Sequence, residues 1–221
     1  MKDKMWKDLD MPWQEAFKAA WEAYKRGTIP IGSIIVTAKG EVVAKGRNRI
    51  FDDKSHNPLA GSNMAHAEMT AMLDLRGTEH PDIKKYILYT TMEPCPMCFG
   101  TMVMMGIRNI RFAARDGYAG ATSLNDKLDY IMSKEIHIKA GTSEMEAFQL
   151  ILQSAYEYSR KHPRIEVILD TWREINKSSV DYGKKLNELK YFQRSVEENK
   201  SIEHIYDEVI EGYLEFCNSI S

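Results

Sequence analysis

A chain of 221 residues, 43% hydrophobic and 28% charged, has the composition of an ordinary globular protein of one or two domains with a full core. Its net charge of −2 gives no global attraction for polyanions, and no apolar run approaches the roughly 18 residues of a membrane span. Three cysteines, of which Cys95 and Cys98 are two residues apart and Cys217 is remote, argue against a disulfide framework. They suit a reducing cytoplasm and a metal or redox site; Met1 to Asp10 lacks the apolar core of a secretory signal.

Residues 10–27 have the pattern of an amphipathic helix. Asp10 stands at the cap and Pro12 in the first turn, and Trp13, Phe17, Ala20, Trp21 and Tyr24 follow at helical spacing before Gly27. Ser33–Thr37 and Glu41–Lys45 are β-branched runs across a Lys39-Gly40 turn, which predicts a hairpin. A polar loop follows from about Phe51 to Asn63. Ala65–Leu75 is then helix-like, Tyr86–Thr91 strand-like, Pro96–Met105 helix-like and Ile110–Ala114 a buried strand. Such alternation predicts an α/β layer structure.

Beyond Leu124 the character changes. Residues 143–161, 163–177 and 182–217 are helix-like, with Phe148, Ile151, Leu152, Ala155 and Tyr156 at spacings of three and four. A catalytic domain over 1–130 and a helical C-terminal extension over 131–221 is the division this predicts. Residues 1–140 hold 20 basic and 17 acidic side chains, whereas residues 141–221 hold 10 and 15, a charge of −5. That tail is ill-suited to gripping a phosphate backbone.

The chemistry concentrates in His66-Ala67-Glu68 and Pro94-Cys95-Pro96-Met97-Cys98. Two cysteines and a histidine are the ligand count of a catalytic zinc with an open fourth position, and two thiolates with a neutral imidazole cancel the dication. Pro96 suits the first helical position and makes Cys95 the N-cap; Cys98 then faces the same way one turn on. His66 and Glu68 fall about 200° apart on an ideal helix, so both meet one metal-bound water only if the site lies over that helix's N-terminal end. Glu68 would carry protons without touching the metal. A redox pair, or a structural zinc completed by His56, His80 or Cys217, is the bland alternative, as is a merely packing His66.

At these residues the sequence resembles the cytidine and deoxycytidylate deaminase superfamily, whose signature is H-x-E followed by P-C-x-x-C. The likeness extends to Ile29-Pro30-Ile31-Gly32-Ser33-Ile34-Ile35-Val36, to Leu88-Tyr89-Thr90-Thr91-Met92-Glu93 before the cysteines, and to Phe112-Ala113-Ala114-Arg115-Asp116. Asn48 within Gly46-Arg47-Asn48-Arg49 matches a base-binding asparagine of the tRNA adenosine and guanine deaminase branch. The resemblance covers about residues 10–122. It implies a three-layer α/β/α fold with a five-stranded mixed sheet, usually as a homodimer. It also implies a Zn2+ cofactor on His66, Cys95 and Cys98, Glu68 as general acid/base, and Asn48 and Asp116 as substrate contacts.

Two departures matter. The 51–63 loop is longer than in the compact tRNA enzymes and precedes the zinc helix, which marks it for shaping the substrate mouth. The acidic helical tail has no counterpart in the minimal fold. The expectation is therefore a zinc-dependent hydrolase that deaminates a small base, nucleoside or related aminated heterocycle. Its alternatives are adenosine-to-inosine editing of a tRNA anticodon loop, and a non-catalytic zinc scaffold whose tail binds a partner. Met97, Met102, Met104 and Met105 are assigned to the core, and the tail aromatics, Trp172 among them, to helix packing.

Overall fold

The computed structural model describes residues 5–53, 57–160 and 163–220. Five strands form one mixed sheet in the order β2-β1-β3-β4-β5. They are β1 (Gly32–Val36), β2 (Val42–Arg47), β3 (Ile87–Met92), β4 (Asn109–Ala114) and β5 (His137–Ala140). β1 is antiparallel to both β2 and β3, and β3, β4 and β5 run parallel. The hairpin closes as the Lys39-Gly40 dipeptide predicts, with Gly40 at φ +83°, a left-handed conformation that suits glycine.

Helices cover both faces. α1 (Met11–Lys25) and α5 (Ser143–Arg160) pack on one, while α2 (Ala67–Met72) and α3 (Pro96–Met105) pack on the other. Two glycines let helices approach the sheet closely: a Cβ at Gly46 of β2 would sit 2.1 Å from the carbonyl oxygen of Ala67 in α2. Gly32 meets Ala16 of α1 the same way. No other residue fits at these two positions without moving a helix.

The short α4 (Asp129–Met132) precedes β5, which therefore lies beyond residue 130. The sheet continues past the boundary the sequence suggests, and residues 131–221 are not all helical. β5 escapes sequence reading because it is a four-residue edge strand, mostly exposed, and is defined by its pairing with β4. After α5 come α6 (Ile165–Glu188), α7 (Tyr191–Glu197) and α8 (Ile202–Ile220). The continuous helix expected over 182–217 is instead broken twice, with Lys190 (φ +53°) and Asn199 (φ +52°) left-handed at the breaks. α6 conversely runs through the gap predicted between 177 and 182. Its interruption falls at Asn176 (φ −154°, ψ 88°), whose side-chain oxygen accepts the Ser179 amide at 3.0 Å and restarts the helix.

The C-terminal helices share their core with the sheet. Phe17 of α1, Phe148 of α5 and Tyr206 of α8 are fully buried, with ring centroids 4.6–5.6 Å apart. Each such side chain contributes about 1.5–3 kcal/mol by burial, and the edge-on Phe17–Phe148 pair adds to that. Trp172 of α6 joins Met92, Ala114 and Leu150 in a smaller cluster at the C-terminal ends of β3 and β4. The methionine run divides: Met102 is fully buried, but Met104 is 72% exposed and accepts the Tyr130 hydroxyl on its sulfur. A helix one layer thick cannot bury residues on opposite flanks, so the core assignment fails for Met104. No helix among the described residues is long and apolar enough to cross a membrane.

Candidate active site

His66 is the N-cap residue of α2 and Cys95 that of α3, both with extended backbones. Pro96 opens α3 where its missing amide hydrogen costs nothing, and Cys98 stands one turn further in. The three ligand atoms lie within 4.8 Å of one another. His66 Nδ1 is 3.5 Å from Cys95 Sγ and 3.6 Å from Cys98 Sγ. A tetrahedral zinc with N and S bonds near 2.05 and 2.3 Å places such atoms roughly 3.5–3.8 Å apart, so these separations are edges of a ligand tetrahedron.

The protonation chemistry fits a cation as well. A hydrogen bond from Cys98, aided by His66, pulls the Cys95 thiol down to about 4. That same bond, with burial, holds the Cys98 thiol far above its ordinary value. The Cys95 thiolate in turn raises His66. A divalent cation would replace the shared protons and let both sulfurs ionise at the positive N-terminal end of α3. Of the residues considered for a fourth protein ligand, His80 pairs with the Tyr86 hydroxyl at 3.2 Å and Cys217 stands outside the cluster. His56 lies outside the described residues.

Glu68 sits in the first turn of α2, only 4% exposed. Thr90 of β3 donates to its Oε1 at 3.0 Å, and Cys98 Sγ approaches its Oε2 at 3.5 Å. Burial raises its carboxyl above the usual range, which is how an acid is tuned to exchange protons near neutral pH. It borders the metal cluster and is not one of its three members.

A cavity of about 230 Å³ opens beside this cluster, lined by His66, Glu68 and Cys95. That is below the roughly 300–1,000 Å³ of drug-sized pockets and suits one heterocycle. Asn48 lines it too. Its side-chain oxygen is taken by the Thr28 hydroxyl at 2.6 Å and the Ile50 amide at 3.1 Å, which leaves its NH2 group to donate. Asp116 is on the wall as well, and burial raises its carboxyl. Its Oδ1 accepts the indole N–H of Trp172 at 2.9 Å, so it also anchors α6.

Sequence reasoning missed most of the far wall. Gln153 and Glu157 of α5 and Ile168 and Trp172 of α6 all line the cavity. Conversely, no described residue of the 51–63 loop does; Arg160 of α5 instead lies 4.2 Å over the Phe51 ring. The roof is contributed by the C-terminal helices, not by that loop. Glu93, also unremarked, accepts the Asp116 amide at 3.1 Å, the Thr122 amide at 3.1 Å and the Thr122 hydroxyl. It clips the cysteine loop to the loop after β4, and a Cβ at Gly120 would lie 2.5 Å from its Oε2.

Residues 8–114 match the family described as cytidine and deoxycytidylate deaminase zinc-binding region. The tRNA-specific adenosine deaminase of Bacillus subtilis is 31% identical over 139 residues, 60% of this chain and 80% of that protein. The tRNA(Ile)-lysidine synthase of Deinococcus radiodurans is 30% identical over 149 residues, 66% of this chain but only 24% of that much longer relative. A solved guanine deaminase from Bacillus subtilis shares 28% identity over 49% of this chain and 66% of its own, with a TM-score of 0.39. The chain belongs to the cytidine and deoxycytidylate deaminase superfamily, with the tRNA-specific adenosine deaminases among its relatives. It is thus an enzyme of the zinc-dependent hydrolytic deaminase type, with Zn2+ as cofactor.

Proposed function

We propose that the substrate is a small free base, nucleoside or related aminated heterocycle, and that His66, Cys95 and Cys98 hold the metal while Glu68 carries protons. The observation that carries this reading is the small cavity beside the metal cluster, with Ile168 and Trp172 of the C-terminal helices in its wall. Zinc supplies the acidity that makes water a nucleophile at neutral pH. Glu68 takes one proton of the attacking water and passes it to the ring nitrogen, then takes the second from the new hydroxyl and delivers it to the departing amine. Water thus adds at the ring carbon, ammonia leaves, and a carbonyl remains. Asn48 donates to a ring acceptor, and Asp116 supports the site both as wall and as the anchor of Trp172. The two thiols serve only when reduced, which fits a cytoplasmic protein.

Purified zinc-loaded protein should release ammonia from members of a panel of free bases and nucleosides. The second reading, adenosine-to-inosine editing of a flipped tRNA base, is favoured by the likeness to the tRNA-specific adenosine deaminase of Bacillus subtilis. Turnover confined to a tRNA anticodon stem-loop would establish it and sink the small-substrate reading. We further read the protein as a homodimer, with the touching and exposed Met104 and Tyr130 as part of its apolar surface. Light scattering at micromolar concentration should give twice the 25.5 kDa chain mass, and a monomer would refute the assembly.

A further inference from the structure

Glu157 is buried, 5% exposed, and faces the cavity beside the metal cluster. Among the described residues it makes no hydrogen bond or ion pair; Arg160, one turn on, is turned over the rings of Phe51 and Tyr156. Burial opposes ionisation of this carboxyl and Arg160 offsets that only through space; a carboxyl so placed in a ligand cavity marks a functional position. Gln153 stands one turn earlier on the same face of α5 and also lines the cavity. Its side-chain oxygen is occupied by the Gln149 amide at 3.1 Å, and Gln149 is itself pinned to the Pro30 carbonyl at 2.9 Å. Gln153 therefore presents its NH2 group as a donor, beside the Glu157 acceptor.

The position of this pair gives it meaning. The metal cluster comes from α2 and α3 on one face of the sheet, whereas Gln153 and Glu157 come from α5 on the other. A ring held between them offers its amine-bearing carbon to the metal side and its opposite edge to α5. A donor next to an acceptor complements an edge carrying a lone pair next to an N–H. The imidazole edge of a free purine has that pattern, and so does the N–H beside the carbonyl of a free pyrimidine. A nucleoside carries its sugar in place of that proton, so it lacks the N–H this pair would bind.

We propose that Glu157, with Gln153 beside it, is a specificity-determining residue that binds the ring N–H of a free base and so selects free bases over nucleosides. This rests on the small-substrate reading of the site. The test is equilibrium dialysis of radiolabelled adenine, guanine and cytosine, and of their three ribonucleosides, against wild type, Glu157→Leu and Glu157→Gln. Zinc content and Tm are recorded for each protein, and ammonia release is measured in parallel.

The expected result is that wild type binds at least one free base well above its nucleoside. Glu157→Leu should weaken that binding about tenfold to a hundredfold, the loss of one charge-assisted hydrogen bond. Glu157→Gln, which keeps an acceptor, should recover part of it. KM should rise with binding while kcat stays within a few-fold, because the residue does not touch the reacting carbon. Equal binding of base and nucleoside, no binding of any free base, or an unchanged affinity in a folded Glu157→Leu would each overturn the proposal. Free bases that bind through Glu157 yet release no ammonia would instead defeat the deaminase reading and leave this assignment standing.

Discussion

Glu68→Gln should lower kcat by about 10²–10⁴-fold, the usual worth of a general acid/base, with zinc content unchanged. The geometry requires both halves of that result. Glu68 is the second residue of α2 and His66 is its N-cap, so the two diverge around the helix and meet only over its end. His66 turns to the sulfurs, while Glu68 is held by the Thr90 hydroxyl at 3.0 Å, bordering the cluster from the side. The amide keeps the shape and the Thr90 contact, and removes only the ability to take and return protons. It also replaces an acid whose ionisation burial opposes, so the variant should fold at least as well as wild type. Metal analysis and ammonia release on one preparation read both quantities. A variant that loses zinc makes Glu68 a ligand, and one that keeps its kcat frees Glu68 of any proton transfer.

The metal cluster was legible in the sequence because its geometry is local. Pro96 fixes the start of α3, and a two-residue gap then puts two sulfurs on one side of one turn whatever the rest of the chain does. His66 was placed by the same logic, from the flank incompatibility with Glu68. The far wall of the cavity had no such local mark. Gln153 and Glu157 occur at spacings that on most amphipathic helices face water, and only the docking of α5 against the Gly27–Ile31 segment buries them. Trp172 was assigned to helix packing, and it does pack; nothing in its neighbours tells that its indole N–H reaches Asp116, 56 residues earlier in the chain. Adjacency to His66 in sequence points to the 51–63 loop as the mouth, and adjacency is a poor guide once a long-range helix pair can occupy the same space.

The reacting end of the site is made by elements within residues 8–114, the stretch the family match covers. The end that would distinguish one heterocycle from another is made by α5 and α6, outside it. On the proposed reading, catalysis and selection sit on different parts of the chain, joined where Asp116 after β4 accepts the Trp172 indole. Substitutions in α5 and α6 can change what is bound without touching what is done to it.

Cys98→Ser should abolish both zinc retention and turnover, and this loss is the most complete expected of any single substitution here. Cys98 is fully buried, with its sulfur 3.6 Å from His66 Nδ1, and no fourth side chain joins the described cluster to take its place. A serine hydroxyl does not ionise there to give a ligand comparable to a thiolate, so the charge that neutralises the dication falls by one. Prolonged chelation of wild type should reach the same inactive state reversibly, with added Zn2+ restoring turnover. Chelation should also be easier in acid. The metal must displace the protons held among Cys95, Cys98 and His66; His66 is raised by the Cys95 thiolate, so falling pH refills these positions and weakens the metal. The Tm of the chelated protein should drop as well, because bound metal stabilises the fold by mass action. A Cys98→Ser protein that keeps stoichiometric zinc, or a metal-free wild type that still releases ammonia, would remove the cluster from the centre of the chemistry.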